Sequence, residues 1–473
     1  MDNIFNISPI DGRYASKTQK LKPLFSESAL INLRIQVECE YFIFLTDFLF
    51  KKHKINKRLS KSQKEFLRSI YKKIEENAKY VKKIETEGDG IVGPTNHDVK
   101  AVEYYLRKIF EDKIPLNTQL IHFGLTSEDV NNIAYSLMIN DFIKNEYIDQ
   151  LEKILLKLND FASRYSKSIF PARTHGQIAS PTTFGKEMKN FAQRIERKIQ
   201  RIKRHKLLIK LNGAVGNYNA FCAAYPDIDW IDFTCRFVDF INNRFSTSFL
   251  PNLHTTQIEP HDSWVELFME IKHINSILIG LCQDIWRYIS DDLIVLRKIE
   301  YEVGSTTMPH KVNPIDFENA EGNLQIANTL LCFLSEKLPI SRMQRDLTDS
   351  TVERNIGVAF AHTYLAFDSI LKGLLKLELD EKRAYEVVKN SPQIYAEAIQ
   401  TILRKYGIKN AYEMLKDFSR GRKITRKKLY DYINKLKVNS RIKKELYEVI
   451  SKPYTGLASR LAIMKTNRWR KDG

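Results

Sequence analysis

The sequence has few cysteines, glycines and prolines, and it lacks a long apolar run. Its 473 residues include 5 Cys, 18 Gly and 14 Pro. The cysteines are odd in number, widely separated and form no CxxC pair, which predicts reduced core residues in a reducing compartment. The most apolar run, residues 41–50, is far shorter than the roughly 20 residues that span a bilayer. The first 14 residues also lack the pattern of a secretory signal, so we expect a cytoplasmic protein with no membrane partner.

Acidic residues are also fewer than basic residues. Lys and Arg number 75 against 57 Asp and Glu, a formal net charge of +18. The lysines are dispersed, as in residues 51–57 and 72–83, which is typical of a solvated surface. A basic funnel for an anionic substrate is the second interpretation. A nucleic-acid groove is the third, but it needs clustered basic residues with interleaved aromatics, and none are found. We therefore expect no nucleic-acid partner.

What the sequence does have is apolar residues at alternating steps of three and four, the spacing of long helices that pack side by side. Two of these helices contain the clearest repeats, whose residues are given at the end of this paragraph. A third helix should begin near Ser127 as N-cap and run to Leu158, and a fourth should follow Pro181 and end before Gly213. The two clearest repeats consist of Trp264, Leu267, Ile271, Ile274, Leu278, Leu281 and Ile285, and of Phe317, Ala320, Leu324, Ala327, Leu331, Leu334 and Leu338.

These repeats predict an all-α protein built on a long-helix bundle, because a helix with one apolar face needs partners. No strand pattern persists. A single core stops growing near about 250–300 residues, so several structural units are expected. Breaks in the pattern predict an N-terminal helical domain (1–121), a central long-helix bundle domain (122–378) and a basic C-terminal helical domain (379–473). The GxGxxG match at residues 88–93 lacks a preceding strand and predicts a loop instead of a dinucleotide site.

The most informative segment joins the two clearest repeats. Residues 304–314 read GSTTMPHKVNP and place a hydroxyl (Ser305), an imidazole (His310), an ammonium (Lys311) and an amide (Asn313) within nine residues. By composition alone, this is a Ser/Thr-rich helix connection. As a string it resembles the GSSxMPxKxNP signature of the fumarase/aspartase superfamily. Those enzymes abstract a proton next to a carboxylate and expel a group from the neighbouring carbon.

Five further segments are similar to one branch of that superfamily, the adenylosuccinate lyases. They read SPIDGRY at 8–14, TNHDV at 95–99, HFGLTSED at 122–129, RTHGQ at 173–177 and RDLTDSTVER at 345–354. The resemblance covers roughly residues 5 to 390, and the C-terminal region carries no motif. One position departs from the signature: Thr306 replaces its second serine, which concerns loop dynamics more than chemistry.

The resemblance implies β-elimination of fumarate from adenylosuccinate, giving AMP, and from SAICAR, giving AICAR. It implies a homotetramer whose active sites are shared between chains. It also implies catalysis without a cofactor, and no metal-ligand spacing is present. The signature alone leaves open another superfamily lyase, such as argininosuccinate lyase, fumarase or aspartase. Two rivals of other classes are a nucleic-acid-binding helical protein and a catalytically inactive scaffold, against which the intact Ser305, His175 and Lys311 argue.

The resemblance also implies roles for individual residues. Ser305 would be the base, and Lys311 with loop amides would lower the cost of its alkoxide. Lys311 and Asn313 would stabilise the aci-carboxylate intermediate. His175 would be the acid, oriented by Glu318.

Binding residues follow from the same motifs. His97 and His122 would hold phosphate or carboxylates beside helix N-termini. Arg345, Ser350 and Arg354 are expected near one helical face as a phosphate clamp. The full expected substrate-binding set is Arg13, Tyr14, Asn96, His97, Asp98, His122, Thr126, Ser127, Thr174, Gln257, Asn313, Arg345, Ser350 and Arg354.

Overall fold

The computed structural model describes residues 2–111, 113–114, 116–297, 312–419 and 424–465, without the side chains of residues 2, 3 and 419. Helices make up 66% of the structure, and its strands are only two or three residues long. The predicted all-α class is confirmed. The described part contains no helix with the length and apolarity that crossing a membrane requires.

The α-helices range from single turns to eight turns. In the first half of the chain they are α1 Lys22–Phe25, α2 Glu27–Lys51, α3 Lys61–Ile70, α4 Ile74–Thr86, α5 Asp98–Glu111, α6 Ser127–Phe142, α7 Ile148–Arg164, α8 Phe184–Arg204, α9 Asn219–Ala224 and α10 Trp230–Phe245. In the second half they are α11 Asp262–Ser290, α12 Ile315–Lys337, α13 Thr348–Glu353, α14 Ile356–Lys376, α15 Glu381–Lys389, α16 Ala396–Lys405, α17 Ala411–Ser419, α18 Arg426–Lys435, α19 Ser440–Ser451 and α20 Ala458–Ile463.

The described strands form four two-stranded ladders. They are β1 Ile169–Phe170, β2 Arg173–Thr174, β3 Gln177–Ile178, β4 Thr182–Thr183, β5 Leu208–Ile209, β6 Leu250–Pro251, β7 Ile294–Leu296 and β8 Leu377–Leu379. The pairs β1–β4, β2–β3 and β7–β8 are antiparallel, and β5–β6 is parallel. In the β2–β3 hairpin Thr174 lies opposite Gln177.

The two clearest apolar repeats are buried throughout. All seven residues from Trp264 to Ile285 lie in α11, and each is at most 3% exposed. The seven from Phe317 to Leu338 are at most 1% exposed. Helix α12 ends at Lys337, two residues before Pro339, because proline has no N–H to continue a helix. The spacing therefore predicted both the helices and their buried faces.

The third predicted helix is interrupted. Helices α6 and α7 are joined by a π-helical turn at Ile143–Tyr147. Beyond it the buried face contains Ile154, while Leu155, expected in the core, is only partly buried. A π turn takes more residues than an α turn and so changes the phase of the following face.

By its contacts the chain divides into two compact units, each discontinuous in sequence. Unit one comprises residues 1–150, 200–275 and 323–365, and unit two comprises residues 151–199, 276–322 and 366–473. In unit one Phe25, Phe142 and Phe360 pack ring against ring. In unit two, buried residues from Val388 to Ile450 form an apolar core of their own. The predicted three-domain division stays a prediction.

Two smaller expectations can be compared with the structure. Residues 88–93 form a loop after α4, closed by the Asp89 carboxylate, which accepts the N–H groups of Ile91 and Val92. The expectation of core cysteines was too broad. All five thiols are free, but only Cys39 and Cys282 are buried, and Cys222 is exposed.

Candidate functional site

Unit one contains most of the predicted substrate-binding residues. Thr174, His175, Asn313 and Glu318 lie in unit two. Ser305 and Lys311, the predicted base and its partner, lie outside the described residues, as do Thr306 and His310. The unit-one residues are Arg13, Tyr14, Asn96, His97, Asp98, His122, Thr126, Ser127, Gln257, Arg345, Ser350 and Arg354.

Asp98, the first residue of α5, pairs with two arginines. Its Oδ2 is 2.8 Å from Nη1 of Arg34 and accepts a 2.8 Å hydrogen bond from Nη2 of Arg354. Burial raises the pKa of Asp98, but the two guanidinium groups outweigh burial and lower it to about 2. Arg34 of α2 is buried, whereas Arg354 is partly open to solvent. Arg354 therefore combines a fixed position with free donors that an anion can reach.

His97 lies immediately before α5, as predicted. Its Nδ1 accepts the backbone N–H of Lys100 at 3.2 Å, which fixes the ring at the helix N-terminus and leaves Nε2 exposed as a donor. Asn96 beside it is exposed and has a left-handed backbone, with φ 46°. The N-terminus of α5 thus offers the groups that attract an anion.

His122 pairs with a buried carboxylate. Its Nδ1 lies 2.5 Å from Oε1 of Glu38, a residue of α2. Burial opposes a charged imidazole, but Glu38 outweighs burial and raises the pKa of His122. The loop is anchored by Tyr41, whose hydroxyl donates to the carbonyl of Phe123 at 2.6 Å. The Glu38 carboxylate therefore favours the charged form of His122, which suits this partly buried side chain to hold a carboxylate or phosphate.

The α6 N-terminus adds Thr126 and Ser127. The structure corrects the predicted N-cap, since the helix begins at Ser127 and Thr126 is the cap. The backbone N–H of Thr126 donates to the Asp129 carboxylate at 2.8 Å. Asp129 is itself buried, with the ammonium of Lys210 at 2.9 Å and the N–H of Asn212 at 3.0 Å. These contacts hold the start of α6 in a fixed position.

Gln257 and Arg345 contact each other. Nη1 of Arg345 donates to Oε1 of Gln257 at 3.2 Å, and the Gln257 carbonyl accepts from Nζ of Lys210 at 2.7 Å. Gln257 is therefore held through both its side chain and its backbone.

The expected single helical face of Arg345, Ser350 and Arg354 is wrong. Helix α13 spans only Thr348–Glu353 and contains Ser350 alone of the three. Leu347 is the N-cap of this helix, and Asp346 before it accepts the N–H of Thr348 at 2.9 Å. The two arginines therefore lie beyond opposite ends of a short helix.

Arg13 and Tyr14 lie in the tightly turned N-terminal segment. The N–H of Gly12 donates to Ser8 at 2.9 Å, and that of Tyr14 donates to Pro9 at 2.8 Å. Arg13 is exposed and Tyr14 is partly buried. The turn presents a guanidinium to solvent beside an aromatic ring.

In unit two, His175 lies at the tip of the β2–β3 hairpin. His175 and Gly176 form its two-residue turn, with φ 51° and 72°, the left-handed pair that fits a tight hairpin. Arg173 supports the turn, because its Nη1 donates to the Gly176 carbonyl at 3.3 Å and its Nε lies 3.1 Å from Asp291. His175 and Thr174 are both exposed.

The predicted His175–Glu318 pair is not formed among the described residues. Glu318, in the first turn of α12, accepts a hydrogen bond from Nε1 of Trp286 at 3.1 Å. Asn313 lies just before α12 and is partly buried. The orienting role of Glu318 stays a prediction.

Sequence reasoning missed the buried charges behind these residues. Arg34, Glu38 and Lys210 are at most 2% exposed. A lone charged residue in a helix gives no sign that it is buried. One feature of the sequence could have indicated a buried charge. His261 ends the string Gln-Ile-Glu-Pro-His at 257–261, a polar run directly before the long helix α11.

Known proteins are similar to this chain in sequence and in fold. Residues 12–327 match the family model described as lyase, and residues 341–455 match adenylosuccinate lyase C-terminal. The chain is also similar in fold to a fumarate lyase from Mesorhizobium sp. BNC1, with a TM-score of 0.72, 16% identity and coverage of 94% of this chain and 96% of that one. A 3-carboxy-cis,cis-muconate lactonizing enzyme from Pseudomonas putida gives a TM-score of 0.70 at 17% identity, over 94% of this chain and 95% of that one. The family model over residues 12–327 defines the chain as a lyase, and the solved structures show its fold.

Relatives with higher sequence identity identify the family within the lyases. The chain is 44% identical over 466 residues to an adenylosuccinate lyase of Dictyostelium discoideum, covering 97% of each chain. It is 43% identical over 460 residues to that of Legionella pneumophila (strain Corby), covering 96% of this chain and 97% of the relative. For Escherichia coli (strain K12) the identity is 39% over 464 residues, covering 97% and 98%. The chain belongs to the adenylosuccinate lyase family, and the alternative lyases are not favoured.

Proposed function

We propose that this protein cleaves adenylosuccinate to AMP and fumarate, and SAICAR to AICAR and fumarate. The observation that carries the proposal is the full-length similarity to adenylosuccinate lyases, at 44% identity over 97% of both chains in one case. Both substrates carry a phosphate and two succinyl carboxylates, and unit one contains basic side chains at several of the predicted positions. Arg354, His122 and Arg345 are each held by a carboxylate or amide partner.

The proposed reaction is a β-elimination. Ser305 removes the proton from the succinyl carbon next to a carboxylate, and the electron pair forms an aci-carboxylate that Lys311 and Asn313 stabilise. The pair then returns to form the carbon–carbon double bond while the carbon–nitrogen bond breaks. His175 gives a proton to the leaving nitrogen, and fumarate is released. Exposure of His175 at a hairpin tip suits a group that must reach a bound substrate.

We propose a homotetramer with active sites shared between chains. Helix α12 supports this assembly, because it carries apolar residues on a face opposite its buried repeat. Ile326 is 48% exposed and Phe333 is 51% exposed, and seven residues separate them, so they lie on one side of the helix. Ile340, just beyond the end of the helix, is 66% exposed. Another copy of the chain would cover these residues. A cytoplasmic location stays a prediction.

A spectrophotometric assay tests the function. Purified protein is added to adenylosuccinate and, separately, to SAICAR, and the loss of substrate absorbance is followed. Fumarate should appear in equal amount to AMP or AICAR. An absence of turnover with both substrates would leave the inactive-scaffold alternative, and turnover of argininosuccinate or malate instead would assign a different lyase.

The base is tested by Ser305→Ala. Turnover should fall by at least about 10²-fold while substrate binding is largely retained, since a general base acts in the transition state. Thr306→Ala is the matched control, because it removes the neighbouring hydroxyl, and its effect should be much milder. The reverse ranking would assign the base to Thr306.

A further inference from the structure

Three buried side chains outside the predicted site meet in unit one. They are Glu128 near the start of α6, His261 just before α11, and Glu353 at the end of α13, and their facing atoms lie within 4.8 Å of one another. Nε2 of His261 is 3.2 Å from Oε1 of Glu353 and 3.9 Å from Oε1 of Glu128. Glu128 and His261 are 0% exposed and Glu353 is 2% exposed. Such a group of buried ionisable side chains is costly unless its charges are balanced.

The surroundings of His261 suit an imidazolium ion. Its Nδ1 lies 3.5 Å from Oε2 of Glu259, so that both ring nitrogens face carboxylates. The ring stacks on Trp264 with a centroid distance of 4.2 Å and an interplanar angle of 27°, an arrangement that favours a cation. The backbone of His261 is left-handed, with φ 62°, and its N–H donates to Glu259 at 2.6 Å. Strained backbone of this kind persists only where its surroundings hold it.

The charges around the cluster place a proton on the imidazole. Burial lowers the pKa of His261, but Glu353, Glu128 and Glu259 outweigh burial and raise it to about 9. Burial and the neighbouring Glu353 raise the pKa of Glu128 well above its usual range, which favours a neutral acid there. The charged or titratable groups facing the cluster are Glu128 of α6, Lys210 after β5, Glu259 and Asp262 on either side of His261, and Asp349 and Glu353 of α13.

Each member of the cluster lies within four residues of a predicted substrate-binding residue. Glu128 follows Ser127, and Glu353 precedes Arg354. His261 comes four residues after Gln257. The cluster therefore joins three segments that are far apart in sequence and that each present one binding side chain.

We propose that His261 is a positioning residue, a buried imidazolium ion that holds the segments of Ser127, Gln257 and Arg354 in the arrangement that binds substrate. The inference rests on the proposed function, since those three residues are assigned through it. The rival occupant of the cluster is a divalent cation, which would need a deprotonated Nε2 and both carboxylates as ligands.

The first experiment is His261→Gln, assayed with adenylosuccinate. KM should rise about 10-fold or more while kcat changes less than about 3-fold, because the variant disturbs binding groups and leaves Ser305 and His175 in place. The matched control is His362→Gln, at another buried histidine of unit one. The Nδ1 of His362 is 2.8 Å from Asn323 Oδ1, and burial lowers its pKa. Equal kinetics in both variants would overturn the proposal.

Glutamine variants of the two carboxylates distinguish a protonated His261 from a bound metal ion. Glu353→Gln removes the counter-ion of His261 and should raise KM as His261→Gln does. Glu128→Gln resembles the protonated acid and should have a mild effect. Equal damage from both variants, together with about one equivalent of a divalent metal per chain by elemental analysis, would overturn the imidazolium assignment.

The pH dependence of thermal unfolding tests the same charge without any assay of activity. A raised pKa means that the stabilisation is full below the unfolded value of about 6.5 and is lost as pH rises through about 9. Between pH 7 and 10 the wild-type Tm should therefore fall toward that of His261→Gln. A constant difference across this range would contradict a protonated His261. If the wild type does not turn over adenylosuccinate but its Tm still approaches that of His261→Gln, the proposed function is overturned. The charged cluster is then still supported.

Discussion

At the scale of single residues, the predicted binding groups are held by charges that lie elsewhere in the chain. Asp98 is the clearest case, since it is 64 residues from Arg34 in sequence and 256 residues from Arg354. His122 and its partner Glu38 are 84 residues apart. Glu38 is buried beside the partly buried His122. Asp98 lies between the buried Arg34 and the partly open Arg354. His122 and Arg354 are thus fixed in position while an anion can still reach them.

Asp98→Asn should show what this pairing contributes. Arg34, whose side chain is 3% exposed, would lose its carboxylate, and the free energy of unfolding should fall by about 1.5–3 kcal/mol. Because the folded pKa of Asp98 is lowered to about 2, the stabilisation is present above the unfolded value of about 3.9. It is lost only as pH falls toward 2, so the difference should stay constant from pH 8 to pH 5.

Urea unfolding at one protein concentration measures this difference, with Asp160→Asn as control. Asp160 is 55% exposed and pairs with Lys157 at 3.3 Å, so its loss should cost less than about 1 kcal/mol. If both variants lose the same free energy of unfolding, burial of Arg34 does not add to the cost of removing its carboxylate. A difference that already shrinks near pH 6 would contradict the lowered pKa of Asp98.

At the scale of elements, the loops that present the histidines depend on left-handed backbone. Gly124 follows the His122 turn and Gly176 follows His175, and both have φ 72°. A Cβ on Gly124 would lie 2.7 Å from the ring of Phe221, whereas a Cβ on Gly176 would meet nothing within 4 Å. The two glycines therefore share one backbone requirement but differ in packing.

This pair gives a matched prediction. Gly176→Ala should lower the free energy of unfolding by about 1 kcal/mol, the cost of a left-handed backbone with a Cβ. Gly124→Ala should cost about 2–4 kcal/mol, because the Phe221 ring must also move. Chemical denaturation of both variants provides the comparison. If the two costs are equal, packing against Phe221 does not restrict the His122 loop.

At the scale of the whole molecule, we propose that the site draws its residues from more than one chain. His175 precedes α8 and Ser305 follows α11, and the 29 residues of α11 extend about 43 Å. Within one chain Glu318, the residue predicted to orient His175, instead accepts a hydrogen bond from Trp286. A tetramer in which different chains supply His175 and Ser305 would bring these groups together.

Mixing two inactive variants tests the shared site. His175→Gln and Ser305→Ala, dissociated and reassembled at equal amounts, should recover about a quarter of wild-type activity, because each site draws its two residues independently from the mixture. Each variant reassembled alone is the control and should stay inactive. If subunit exchange is demonstrated and no activity returns, both residues come from the same chain and the shared-site model is wrong.

The sequence by itself determined the long helices α11 and α12 and the resemblance to the family. Apolar spacing is a local property, so the buried faces of α11 and α12 follow from it directly, as does the end of α12 before Pro339. The motifs that include His97, His122 and Thr126 also lie where the spacing suggested, beside helix N-termini. Local signals were sufficient for these features because each depends on residues within a few turns of one another.

Only the tertiary structure decided which charges are buried and which of them meet. The short α13, which separates Arg345 from Arg354, begins after a turn in which the Asp346 carboxylate accepts the N–H of Thr348. The cluster of Glu128, His261 and Glu353 joins three segments that spacing cannot relate. A charged residue in a helix has the same sequence whether it faces water or another charge, and the free energy of burying it depends on partners brought by distant parts of the chain.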